Sequence, residues 1–258
     1  MSRPNDTLGL PAGPPRPRLG PLDVHLWYVQ PDQLSDPDLL AQYARLLCPD
    51  EQARRVRYLI ERVRHEFVVT RALVRTVLSK YTGVDPVQWR FTTNAYGKPD
   101  AVGPAWAEPL RFNLSHTRGL IVCAVTRLEE IGVDVENITR QSTGPDLARR
   151  YFSAQEVADL LKLPLPRQQE VFFDYWTLKE AYIKARGKGL AIPLDEFSFD
   201  LASRDSVRIS FSPQLSDDPS TWRFAQFSPT SEHRVALAVR VRTGDEPAIA
   251  AFETVPLA

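Results

Sequence analysis

Two short stretches hold side chains whose types and spacing suit phosphate chemistry. The first is IGVDVE, residues 131–136, in which Asp134 and Glu136 alternate with Val133 and Val135. On a strand this spacing sets both carboxylates on one face, about 7 Å apart. Their repulsion is unfavourable unless water, a base or a cation sits between them. A hard divalent cation such as Mg²⁺ takes oxygen ligands and shares them with phosphates. The stretch offers no His or Cys suited to zinc. The second stretch is WTLKEAYIKARGKG, residues 176–189, with Glu180 and Lys184 four apart and the acid first. Alone, such a pair is a surface ion pair worth a few tenths of a kcal/mol, roughly 0.2–0.5. The acidic cluster upstream gives it a second meaning.

Other polar groups lie where an anion could be received. In RFNLSHTRG, His116 falls between two apolar runs beside Asn113, Ser115 and Thr117, a polar pocket around a residue type that is more often structural. Lys98 sits in the turn NAYGKP between Gly97 and Pro99. Arg54, Arg55, Arg57, Arg62, Arg64, Arg71 and Arg75 crowd one region. That run reads either as a solvated basic face or as an anion site, because guanidinium groups bind phosphates bidentately.

These groups need elements to position them. Trp176, Glu180, Ile183 and Lys184 share a face of a helix over 167–186, which the glycines at 187 and 189 close. Residues 131–136 form a strand with Ile131, Val133 and Val135 on one side and Gly132, Asp134 and Glu136 on the other. Upstream, a strand over 22–29 leads to a helix within 31–47. Pro49 and Asp50 then open a helical segment in which Val63, Phe67, Val74, Val77 and Tyr81 repeat up to Gly83. Short strands follow at 89–92 and 111–113, with Ser115 and His116 as a polar knuckle before a fully buried strand at 120–126. A helix at 146–151 precedes the capping box SAQE, residues 153–156. Strands at 197–199, 207–211, 222–227 and 235–241 read as an antiparallel meander, and residues beyond Thr243 as a frayed tail.

Strand, helix and strands therefore occur twice, over about 22–128 and 129–245, with 1–21 as a Pro- and Gly-rich disordered lead-in and 246–258 as the tail. A site between the two halves is the expected place for a ligand. The chain has 258 residues and zero formal net charge, so no global field argues for nucleic acid or membrane. Its 43% hydrophobic content is too high for disorder. Cys48 and Cys123 lie in or beside apolar runs and read as free thiols of a reducing compartment. No apolar run reaches the length of a bilayer span. A cytoplasmic monomer is the expectation.

The motifs YGKP, FNLSH, GVDVE, SAQE and FFDYWTLKEAYIKARGKGL, in this order and spacing, resemble the 4′-phosphopantetheinyl transferases of the Sfp type. The resemblance implies an α+β fold of two similar halves related by a pseudo-twofold axis, each a small antiparallel sheet packed on a long helix. It implies transfer of the phosphopantetheine arm of coenzyme A to a serine of an acyl or peptidyl carrier protein, releasing adenosine 3′,5′-bisphosphate. Asp134, Glu136 and Glu180 match the family's Mg²⁺ ligands, and Glu180 and Lys184 its catalytic residues. Arg54, Thr93, Lys98, Asn113, Ser115 and His116 make up the implied coenzyme A set. One departure stands out. Where the family can carry a second basic residue three positions before Arg54, this chain has Glu51, so Arg55, Arg57, Arg64 or Arg71 must complete a 3′-phosphate site. Two other readings fit parts of the pattern: a non-catalytic coenzyme A or nucleotide-binding module, which needs no carboxylate trio, and a metal-dependent nucleotide phosphohydrolase, which needs no carrier.

Overall fold

The structure is a computed structural model and describes residues 17–104, 110–140, 144–201 and 207–258. Two sheets stack face to face between two long helices. The first sheet has the order β11-β1-β5-β4, built from β1 (Asp23–Val29), β4 (Arg111–Thr117), β5 (Leu120–Thr126) and β11 (Ala248–Glu253). The second has the order β6-β10-β9, from β6 (Ile131–Asn137), β9 (Trp222–Phe227) and β10 (His233–Arg240). Period-2 alternation explains the layering. In β1 and β5, Trp27, Val29, Ile121, Cys123 and Val125 face helix α3 (Glu61–Thr82), while Val24, Leu26, Leu120, Val122 and Ala124 face the other sheet. There they meet Ile131, Val133 and Val135 of β6 and Val235, Leu237 and Val239 of β10. The outer side of the second sheet, with Ala236 and Ala238, packs under helix α6 (Leu165–Arg186).

Both long helices have 22 residues, and each ends on a left-handed glycine, Gly83 (φ 72°) and Gly187 (φ 65°). That conformation costs glycine little and caps the last turn. The result is a four-layer sandwich with one long helix outside each sheet, and the first sheet takes its edge strand β11 from the end of the chain.

Gly132 marks the closest approach of the layers. A Cβ built there would overlap the Ala181 carbonyl and the Ala185 amide nitrogen of α6, both backbone atoms that cannot swing aside. Gly132→Ala is expected to destabilise the protein by about 2–3 kcal/mol through overpacking, read as a lower midpoint in urea. An unchanged midpoint would refute this account of the β6–α6 contact.

Several expectations change. The segment from Pro49 to Gly83 is two helices, not one: α2 (Pro49–Arg57) ends before Tyr58 and Ile60, both of which take extended backbone, and α3 starts at Glu61. Ser115 and His116 lie within the ladder of β4, paired with Val122 and Ile121, so the polar knuckle is a strand and the turn falls at Arg118 and Gly119. The late strands do not form one meander. β7 (Phe197–Asp200) and β8 (Arg208–Phe211) make a separate hairpin, and β10 lies between β6 and β9. The chain beyond Thr243 is not frayed. Its β11 pairs in parallel with β1, Asp23 opposite Ala248, so the first sheet is mixed rather than antiparallel, and Pro256 accepts a hydrogen bond from the Tyr43 hydroxyl at 2.9 Å. Order also begins before Leu22, with Leu19 buried in the first core; residues 1–16 of the expected lead-in lie outside the described residues. Cys48 and Cys123 are free, the latter fully enclosed. Among the described residues no helix is long and apolar enough to cross a membrane.

Candidate functional site

The site lies where β4 meets β6 under α6. Instead of extending the ladder, β4 reaches β6 with side chains. Asn113 Oδ1 accepts from the Val133 amide at 2.9 Å, and Ser115 Oγ from the Val135 amide at 3.3 Å. Ser115 then donates to Asp134 Oδ1 at 3.0 Å and accepts from Lys184 Nζ at 2.9 Å. Lys184 Nζ also meets Asp134 Oδ1 at 2.5 Å. Ser115 and Asn113 thus act first as stitches between the halves, a role that residue type and spacing did not reveal.

The carboxylates are close enough to disturb one another. Burial, then Asp134, pushes the Glu136 carboxyl up, against the pull of Arg140, Lys184 and Trp176. Glu180 is pushed up to about 7 by burial, then by Asp134, with Glu136 adding to the rise and Lys184 opposing it. Glu136 pairs with Arg140 at 3.1 Å. Spacing alone does not point to that partner, since a four-residue interval is a helical signal and this segment is a strand followed by a turn.

The fit of a cation rests on one atom. Asp134 Oδ2 is buried and has no hydrogen-bond partner, an arrangement that is costly unless something fills it. A set of acceptor-only oxygens carrying excess negative charge suits a hard divalent ion rather than a soft one. Among the described residues no three His, Cys, Asp or Glu side chains already converge as a finished metal cage. The Lys184 ammonium is the cation now held against Asp134.

On the facing side, His116 projects from β4 toward the first half. Burial lowers its imidazole pKa; Glu66 raises it, and Lys184 and Arg71 lower it further. The residue is exposed, and an arriving anion would favour the charged form of its ring. Arg54 stands 5.5 Å from the Phe67 ring centroid and Arg71 5.2 Å from the same ring. Glu51 explains its own departure from the family pattern. Its carboxylate caps α2 at the Cys48 amide, 3.0 Å away, and pairs with Arg71 at 3.4 Å and with the fully buried Arg75 at 2.5 Å. Glu51 therefore sets Arg71 in place next to Arg54.

Lys98 and Thr93 stand apart from this network. Lys98 Nζ donates to the carbonyls of Ile131 at 3.0 Å and Ala185 at 2.8 Å, capping the end of α6, and burial lowers its pKa to about 8. Thr93 ends strand β2 (Arg90–Thr93), exposed, in the hairpin with β3 (Pro99–Val102). Asn94, which residue type alone did not single out, holds that turn: its Oδ1 accepts from Tyr96 and Lys98 amides, and its Nδ2 donates to the Gly187 carbonyl at 2.8 Å.

Comparison with known proteins gives a consistent picture. The family described as the 4′-phosphopantetheinyl transferase superfamily matches residues 130–239, and the N-terminal region of 4′-phosphopantetheinyl transferases matches residues 35–128. The two matches adjoin between β5 and β6. The chain is 36% identical over 227 residues to the 4′-phosphopantetheinyl transferase HetI of Nostoc sp., covering 88% of this chain and 91% of that protein. It is 33% identical over 168 residues to the 4′-phosphopantetheinyl transferase Sfp of Bacillus subtilis, covering 65% and 72%. With the 4′-phosphopantetheinyl transferase gsp of Aneurinibacillus migulanus it shares 30% identity over 158 residues, 61% and 63% of the two chains.

Proposed function

The chain belongs to the 4′-phosphopantetheinyl transferase superfamily, and on that premise we propose that it moves the phosphopantetheine arm of coenzyme A onto a serine of an acyl or peptidyl carrier protein, as a cytoplasmic monomer. Residues 22–128 would chiefly hold the coenzyme A phosphates and 129–245 the metal and catalytic groups. The observation that carries the reading is Asp134, bound by Ser115 from one half and Lys184 from the other, beside Glu136 and Glu180.

In this reaction the serine oxygen forms a bond to the phosphorus that bears the pantetheine arm. The bond from that phosphorus to the bridging oxygen breaks, and its electron pair leaves on adenosine 3′,5′-bisphosphate. Glu180, beside Asp134 and Lys184, takes the serine proton, directly or through a water it orients. Asp134, Glu136 and Glu180 would hold Mg²⁺, whose chemistry is to offset charge on the pyrophosphate as it cleaves. Lys184 supplies a second positive charge at the same place. Arg54 and Arg71, held by Phe67 and Glu51, would take the 3′-phosphate, and His116 would take a coenzyme A phosphate and its charge. Asn113, Thr93 and Lys98 support the binding face, the last through the turn it anchors.

The test is incubation of the protein with coenzyme A, magnesium and an apo carrier, read by mass. Gain of one phosphopantetheine on the carrier is the expected result. Adenosine 3′,5′-bisphosphate formed without a carrier would indicate a hydrolase, and no product at all a binding module. Asp134→Ala should raise the magnesium concentration for half-maximal rate by about tenfold or more, the scale of a lost ligand contribution near 1.4 kcal/mol. An unchanged magnesium titration would remove Asp134 from the ligand set.

A further inference from the structure

The joint between α2 and α3 is exposed in an unusual way. Val56, Leu59 and Ile60 are 73%, 92% and 63% exposed, three large apolar side chains within five residues. The backbone explains it. Extended geometry at Tyr58 (φ −73°, ψ 113°) and Ile60 (φ −86°, ψ 119°) breaks the helix. Tyr58 turns inward onto Phe67, ring centroids 5.3 Å apart, and Leu59 and Ile60 are left facing water. Between positions 54 and 62 there are four arginines, Arg54, Arg55, Arg57 and Arg62, against one acid, Glu61, in a chain whose formal net charge is zero. Apolar groups gathered at the surface and rimmed by charge mark a protein-binding site.

The joint also adjoins the candidate site. Arg54 shares the Phe67 ring with Arg71, and both Arg71 and Glu66 act on His116. The patch thus adjoins Arg54 and Arg71, the arginine pair that shares the Phe67 ring at the start of α3.

We infer that residues 56–60 form the docking face for the carrier protein, receiving an acidic amphipathic helix whose apolar side covers Val56, Leu59 and Ile60 and whose carboxylates meet Arg55 and Arg57. This rests on the transferase reading above. The occupant follows from charge. Arg62 is paired with Glu66 at 2.6 Å, so a second copy of this chain on the same patch would set Arg54, Arg55 and Arg57 against their own counterparts, and like-charge juxtaposition disfavours that pairing. A helix carrying acids beside apolar residues satisfies both features of the surface at once.

Steady-state transfer to an apo carrier at saturating coenzyme A tests the inference with two separate variants. In Leu59→Ser/Ile60→Ser the KM for carrier should rise tenfold or more, with kcat and coenzyme A affinity within twofold of wild type and no loss of thermal stability. In Arg57→Glu the KM for carrier should rise and the fall of kcat/KM with added salt should flatten. A carrier with the acids of its docking helix changed to lysine should then regain rate with Arg57→Glu. Carrier KM values within twofold of wild type in both variants would overturn the docking face and leave the transferase reading intact. A wild-type dimer dissolved by Leu59→Ser/Ile60→Ser, with carrier KM unchanged, would overturn it in favour of self-association. If wild-type protein modifies no carrier while binding coenzyme A, the transferase reading fails and the docking face falls with it.

Discussion

Glu180→Gln is expected to abolish transfer and, in the metal-free protein, to raise stability. On activity, the amide cannot take the serine proton and is a poor ligand for a divalent ion. Loss of the general base alone costs about 10²–10⁴ in rate, so transfer should fall by roughly 10³ or more, with coenzyme A binding changed by less than about threefold. On stability the sign follows from the raised pKa. Burial and then Asp134 lift Glu180 from 4.5 to about 7. Between those values the folded protein holds a proton that the unfolded chain has released, so stability falls as pH rises through that window and the full cost is present above it. The shift sets an upper limit of about 3 kcal/mol. Since Glu180 is only partly shielded from water, about 1–2 kcal/mol is the reasonable size. With magnesium chelated, Glu180→Gln should therefore unfold at a higher temperature than wild type at pH 8, with the gap closing by pH 5. A variant that keeps full turnover with magnesium would refute the proton-accepting role. One that is less stable than wild type at pH 8 would refute the electrostatic account of the site.

The chemistry of this chain was legible mainly where one element carried it. Alternation in IGVDVE placed Asp134 and Glu136 on the outer face of β6, opposite Val133 and Val135 in the central core, because a strand has only two faces. Gly187 ended α6 as expected, since a left-handed residue after a basic last turn has few alternatives. What the sequence did not disclose comes from pairing between distant segments. No local pattern distinguishes a serine that binds a phosphate from one that joins two sheets, and Ser115 does the second through Val135 and Asp134. Glu51 looked like a defect in a basic site and proves to be the anchor of Arg71 and Arg75. The last strand was missed for a related reason. In AIAAFE small residues replace the β-branched ones that mark a strand, and its order comes from the β1 edge it covers.

Lys179 shows how far such cross-chain pairing can redirect a motif. It precedes Glu180 in LKEAYIK, yet helical geometry turns adjacent residues about 100° apart, and Lys179 points away from the site. It is fully buried. Its Nζ donates to the Leu194 and Phe197 carbonyls, each at 2.7 Å, and pairs with Glu156 at 2.7 Å. It also lies 4.3 Å from the Phe197 ring centroid. Glu156 in turn closes the capping box of α5 (Ala154–Leu161) and accepts from the Phe199 amide at 2.9 Å. One ion pair thus ties α6 to α5, to the loop before β7 and to β7 itself. Removing one partner leaves the other charge buried without compensation, which costs about 3–5 kcal/mol, plus the two carbonyls left unpaired. Lys179→Met should therefore lower the unfolding temperature by roughly 10 °C or more for a chain of this size, while Lys179→Met with Glu156→Gln should recover part of the loss because no net charge remains enclosed. The recovery separates an electrostatic joint from simple packing, since the double variant restores no contact with Leu194 or Phe197. A single variant within about 2 °C of wild type would mean that Lys179 reaches solvent and that the joint is not built as described.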